Sequence, residues 1–228
     1  MSIFSDAIDF LASIMQHFLS FCYELTQMAG FPSYGIAIIV MTILIRVLLL
    51  PLAIKQIRSM KSMQEMQPRI QEIQKKYKGD PQRIQMEMTK MYQELGVNPL
   101  SGCLPMLIQM PFLISIFYAL RSYQYDPEHI SFLWLPSLGA TDPFYILPVL
   151  AALSTFIMQK QTMSSNNPAG SMAAQQQKIM LVFMPLFIGY ISLSFPSGLV
   201  IYWVVSNLFQ MAQQFIMFRE KPKGAGAK

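Results

Sequence analysis

Hydrophobic positions fall into five long blocks along the chain, at residues 35–54, 100–121, 144–159, 179–195 and 196–218. A helix that crosses a bilayer needs roughly 17–25 predominantly apolar residues, so each block is predicted to be a transmembrane helix. Residues 1–34 read differently. Phe4, Ala7, Leu11, Ile14, Phe18, Cys22 and Leu25 recur every three or four positions, with Asp6, Asp9, Ser13, Gln16 and Ser20 between them. That period predicts an amphipathic helix lying in the extracytoplasmic interface. In residues 55–99 the seam Met63, Met66, Ile70, Ile73 and Tyr77 is followed, across "KGDPQR", by Ile84, Met88, Met91 and Leu95. Heptad spacing on both sides of a turn predicts a helical hairpin, with Gly79 as the stop, Asp80 as the cap and Pro81 in the first turn. The remaining segments are an extracytoplasmic loop (122–143), a cytoplasmic loop (160–178) and a basic cytoplasmic tail (219–228). The fold class expected is all-α and polytopic.

Composition agrees with the pattern. The 228 residues are 53% hydrophobic and 13% charged, with a mean hydropathy of +0.37, whereas soluble domains carry about 25% charged residues. The charges also orient the chain. Segments 1–34 and 122–143 hold no lysine or arginine, while 55–99, 160–178 and 219–228 hold nine, two and four of the 17. The positive-inside rule places those three segments in the cytoplasm, the N-terminus outside and the C-terminus inside. The net charge of +5 is therefore a topological signal more than a nucleic-acid surface. Cys22 and Cys103 fall on opposite sides and cannot pair. The first residues do not read as a secretory signal, because Asp6 and Asp9 interrupt them and nothing basic precedes them.

The five blocks contain no Asp, Glu or His, and both histidines, His17 and His129, lie in extracytoplasmic segments. Aspartyl proteolysis, an intramembrane zinc site and a proton relay thus lack their residues, and no phosphate-binding glycine loop is present. The expectation is a protein that is not an enzyme and needs neither metal nor cofactor. Polar chemistry in the blocks is concentrated elsewhere. Arg46 stands inside "IIVMTILIRVLLLPL" with Thr42 one turn before it; Gln109 lies in the second block, Thr155 and Gln159 in the third. In the last block Trp203, Asn207, Gln210 and Gln214 are spaced four, three and four and share a helix face. Two readings stay open for these groups. Arg46 can snorkel to cytoplasmic water and the others can glue helices together. Alternatively, they line a wet groove open to the cytoplasm that receives a visiting polypeptide. Met63, Met66, Met88 and Met91 similarly either fill the hairpin's own seam or form an adaptable docking surface.

The segments "VNPLSGCLPMLIQMP", "FLWLPSL" with "DPFYILP", "QKIMLVFMP" and "FPSGLVIYWVVSN" resemble the YidC family of membrane protein insertases, in order, over residues 35–218. The resemblance implies a membrane protein of the cell (inner) membrane, an insertase and chaperone with a cytoplasm-open hydrophilic groove. Its membrane arginine corresponds to Arg46, its groove residues to Gln159 and Trp203, and its hairpin to residues 55–95. The partners so implied are nascent membrane proteins, membrane lipids, the Sec translocon and the ribosome, the last weakly or indirectly because the tail is short; no small-molecule substrate is implied. The rival reading is a small-solute transporter or channel subunit, for which internal repeats would be expected. None is evident.

Overall fold

The computed structural model describes residues 2–96, 104–162 and 172–219, and among them nine α-helices. These are α1 (Ser2–Met28), α2 (Tyr34–Leu48), α3 (Leu50–Glu65), α4 (Gln67–Lys76), α5 (Pro81–Glu94), α6 (Leu104–Ser122), α7 (Ile146–Thr162), α8 (Met172–Ser192) and α9 (Ser197–Arg219). The architecture is all-α. An isolated antiparallel bridge between Phe132 and Leu135 is the extended pairing among the described residues.

The helices pack as an open arc, α8 on α7, α7 on α9, α9 on α2, α2 on α1 and α1 on α6, with α6 returning only lightly to α9. Among the described residues α6 and α8 make at most glancing contact. Met41, Ile38, Ile116, Leu120, Leu138, Ala151 and Val200 meet in the shared core. The outward surface is apolar too. On α8, Ile179, Val182, Phe183, Leu186 and Tyr190 are 59%, 55%, 60%, 66% and 72% exposed. Soluble monomers rarely tolerate such a continuous apolar face, whereas lipid accommodates it.

The first apolar block is not one straight rod. α2 ends at Leu48, α3 begins at Leu50, and the two are bent by 63°. Pro51 explains the break: it lacks an N–H, its ring crowds the preceding turn, and it disfavours helical backbone at Leu50. By length and hydropathy no single described helix is long and apolar enough to cross a membrane, while α2 with Leu50–Ser59 passes the same test as a bent pair. The hairpin's first arm is also interrupted. α4 starts after Met66, with Pro68 in its first turn, so the predicted two helices are three. The turn itself follows the sequence signals: Gly79 has φ +99°, and the Asp80 side chain accepts from the Arg83 N–H at 3.0 Å. Met66, Ile70 and Met91 are buried and Met88 is half-buried; the Met63 side chain lies outside the described ones.

α1 packs a face rotated from the one its apolar spacing marks, the two sharing Cys22. Ala12, Met15, Leu19, Cys22 and Tyr23 are buried, whereas Ile14 and Leu25 are exposed. Gln16 donates to Ala119 O (3.2 Å) and Ser122 Oγ (2.9 Å) on α6, and Ser20 Oγ pairs with Tyr123 Oη at 2.9 Å. Small and polar groups suit contact between helices when the surroundings are apolar, because lipid rewards no burial of large side chains. At the C-terminal end of α1, Tyr23 stacks on Tyr34 with centroids 3.9 Å apart. Tyr123 and Tyr125 meet Tyr34 edge-on, and Tyr23 Oη pairs with His129 Nδ1 at 2.7 Å. The cluster ties α1, α2 and the 122–143 loop together.

That loop is built inward. Its Leu135 and Leu138 are buried, and the start of α9 holds it, with Ser197 N and Oγ donating to Ala140 O at 2.7 and 2.8 Å and Gly198 N to Leu138 O at 2.9 Å. Buried Asp142 accepts from Trp134 Nε1 (3.2 Å), Phe144 N (3.0 Å) and Leu147 N (2.7 Å), and so caps α7. Phe132 lies flat against α2 at Gly35, where a methyl group would collide with its ring.

Candidate functional site

The polar residues of the apolar helices gather where α9 packs between α2 and α7. Two rows run along α9. Trp203 and Asn207 face α7: Trp203 Nε1 donates to Thr155 Oγ1 at 3.2 Å, and Asn207 Nδ2 to Ser154 Oγ at 3.1 Å and Thr155 Oγ1 at 3.0 Å. Thr155 and Asn207 are buried. These three groups thus meet one another and hold α7 to α9. Gln214 is fully buried further along α9, and Gln210 and Gln159 are half-buried.

The second row begins at Tyr202, buried on α9, which packs on α2, the helix carrying Arg46. Ser206 follows Tyr202 by one turn and Gln213 follows Ser206 by two, so all three share a face. Arg46 is half-buried in the last turn of α2, and among the described residues no carboxylate lies within ion-pair distance of it. Thr42 is buried and its Oγ1 donates to Ile38 O at 2.6 Å within α2. The Gln109 side chain lies outside the described ones.

The structure therefore brings Thr155, Trp203 and Asn207 together, while Arg46 stands on α2, which also packs against α9. Residues absent from the sequence reading are Ser154, Tyr202, Ser206 and Gln213. Ser206 and Gln213 carried a usable signal, a seven-residue spacing of polar groups in an apolar helix. The Ser154–Asn207 bond carried none, since helical periodicity relates positions on one helix and not across two. A half-buried guanidinium next to hydroxyl and amide donors is chemically suited to bind carboxylates and peptide carbonyls.

The sequence profile of the 60Kd inner membrane protein family matches residues 25–224. The chain is 45% identical over 188 residues to the membrane protein insertase YidC of Caldanaerobacter subterraneus subsp. tengcongensis, covering 82% of this chain and 86% of that protein. It is 44% identical over 209 residues to the membrane protein insertase MisCA of Bacillus subtilis, covering 86% and 77%. With the membrane protein insertase YidC of Fusobacterium nucleatum it shares 39% over 214 residues, 93% of this chain and 99% of that one. Among solved structures it matches a crystal structure of an active YidC insertase with the first transmembrane domain resolved. There the TM-score is 0.66 and the identity 29%, over 92% of this chain but 46% of that one. The chain belongs to the 60Kd inner membrane protein family. Relatives that it resembles within that family are named YidC and MisCA insertases.

Proposed function

We propose that this protein is a membrane protein insertase that receives hydrophilic segments of nascent membrane proteins beside α2, α7 and α9 and releases hydrophobic segments into the bilayer. The observation that carries the reading is Arg46, a cation on an apolar helix with no carboxylate in ion-pair reach among the described residues, packed beside polar rows of α9. In hydrocarbon every unsatisfied backbone group costs several kcal/mol. A recess offering guanidinium, hydroxyl and amide groups replaces part of the water a polar segment loses, and so lowers the barrier to its passage. Arg46 attracts acidic and carbonyl groups; the Thr155–Trp203–Asn207 network keeps the wall in shape. The slight contact between α6 and α8 supports sideways release of apolar segments into lipid.

In this reading 35–54, 100–121, 144–159, 179–195 and 196–218 span the membrane, with the N-terminus outside and the basic hairpin and tail in the cytoplasm. The 63° bend turns α3 away from α2, which suits a hairpin standing at the cytoplasmic mouth. Its half-buried Met88 and buried Met66 and Met91 fill the seam; Met86, 51% exposed, is free to meet a client. The protein acts alone or beside the Sec translocon, with weak ribosome contact. The function requires no covalent chemistry. Reconstitution of the pure protein into vesicles tests the proposal: insertion of a small membrane protein is expected without solute flux, and flux without insertion would favour a transporter.

A further inference from the structure

Two buried side-chain atoms among the described residues have no hydrogen-bond partner, Ser206 Oγ and Gln213 Nε2, and both lie on α9. Ser206 is 4% exposed and Gln213 is 8% exposed. Buried polar atoms in native proteins are nearly always paired, and an orphan is a standing cost to the fold. Chance does not readily put both on one face of one helix, two turns apart. Helical spacing puts Tyr202 on that face too, and α9 packs on α2, the helix of Arg46. The neighbouring row contrasts with it, since Trp203 and Asn207 have already committed their donors to Thr155 and Ser154.

The chemistry of Ser206, Gln213 and Arg46 is one-sided. Gln213 Nε2 and the Arg46 guanidinium can only donate, and the Ser206 hydroxyl can donate. The complementary ligand is rich in acceptors. Seven residues of helix separate Ser206 from Gln213 by about 10.5 Å, near the length of three residues of polyproline II chain at about 3.1 Å each, whose three-fold turn points every third carbonyl the same way. We propose that Ser206 and Gln213, sealed from solvent in the resting fold, are uncovered when a client parts the helices and then bind main-chain carbonyl oxygens of the translocating segment about three residues apart. They form a grip indifferent to side-chain sequence, beside the charge-selective one at Arg46. The inference rests on the insertase reading above and extends it by dividing the recess into two parts. The Trp203–Asn207 row is scaffold, and the Ser206–Gln213 row is contact.

The test sets stability against function. Ser206→Ala, Gln213→Met and the double variant are compared with Asn207→Leu and Arg46→Ala. Each is purified, measured for thermal unfolding in nanodiscs, and reconstituted for insertion of three matched clients with acidic, neutral and basic translocated segments. Because the two atoms lack partners, both apolar variants are expected to unfold at or above the wild-type temperature, while Asn207→Leu unfolds below it. Insertion by the double variant should fall about fivefold or more, the effect of losing one or two net hydrogen bonds, and equally for all three clients. A client carrying backbone esters, whose carbonyls accept hydrogen bonds less well, should insert poorly with wild type and be no worse with the double variant. Lowered unfolding temperatures for Ser206→Ala and Gln213→Met would overturn the proposal, since the atoms would then be bonded within the fold. Undiminished insertion, or a loss confined to the acidic client, would overturn it as well. Failure of the wild-type protein to insert any client would instead sink the insertase reading itself.

Discussion

Replacing Arg46 by alanine removes the cation of the proposed recess. With no carboxylate in ion-pair reach among the described residues, the fold loses no salt bridge, and half-burial limits the packing loss to the arginine stem. Stability should therefore change little, by about 1 kcal/mol or less, as at sites without a named stabilising feature. The effect on function depends on the client. A hydrogen bond to a charged group is worth about 1.5–3 kcal/mol, so a client presenting a carboxylate to Arg46 should lose roughly 10- to 100-fold in insertion rate. A neutral client loses one ordinary hydrogen bond, worth about 1 kcal/mol or roughly fivefold. Arg46→Lys should recover most of the difference between clients, though not all, since lysine lacks the planar donor fork. A lysine at Ile43 in the alanine background should recover none, because Ile43 is 39% exposed on the outward side with Leu44 and Val47. The assay is insertion of acidic, neutral and basic versions of one client into vesicles containing equal amounts of each variant in the same orientation. If Arg46→Ala folds normally and inserts the acidic client as well as wild type does, charge capture is wrong. Equal loss for all three clients would make Arg46 an anchor of α2.

Other consequences are independent of Arg46. Asp142→Ala strands three donors, on Trp134, Phe144 and Leu147. It should cost about 3 kcal/mol in unfolding measurements, from the penalty of roughly 1–3 kcal/mol per orphaned group, and Asp142→Asn should cost less. Gly35→Ala should prevent the 122–143 loop from seating, and Phe132→Ala in the same chain should restore folding, as judged by thermal unfolding, because the ring is what the methyl strikes. Burial pushes the Cys22 thiol from 9.0 up to about 11, so its reactive thiolate forms only as the pH rises towards that value. In a Cys103→Ser background it should stay unlabelled at pH 8, while a cysteine at Leu133 labels with impermeant reagents from outside and one at Ser165 does not. Labelling of Ser165 from outside would reverse the topology.

The existence of the helices was legible because apolar runs of this length leave few alternatives, and the Gly79–Asp80–Pro81 turn because its three residues each do one backbone task. Helix breaks were harder. The apolar run passes through Leu49 without change, and only the pair Leu50–Pro51 marks the bend. On α1 the apolar periodicity pointed to Ile14 and Leu25, because the usual rule assumes that water lies outside. Where lipid surrounds the protein, Gln16 and Ser20 become the inward residues. The site was half legible. The polar spacing on α9 was visible, but the bonding of Trp203 and Asn207 depends on Ser154 and Thr155, on another helix. No one-dimensional pattern contains it.

The grip of Ser197 and Gly198 on Ala140 and Leu138 has a consequence for the energetics of the whole cell. It lays packed backbone and buried leucines over the end of the assembly from which α9 starts. If the proposed recess ends blind there, it admits water and ions from one compartment and passes them to neither lipid nor the other. An idle copy is then expected to dissipate no proton or sodium gradient. On this proposal it needs no moving plug, because the barrier is part of the resting fold. A conducting pore of the same polarity would have to open and close with each client. On the proposed reading a segment is taken up slowly, or abandoned half-way, while the membrane stays electrically tight.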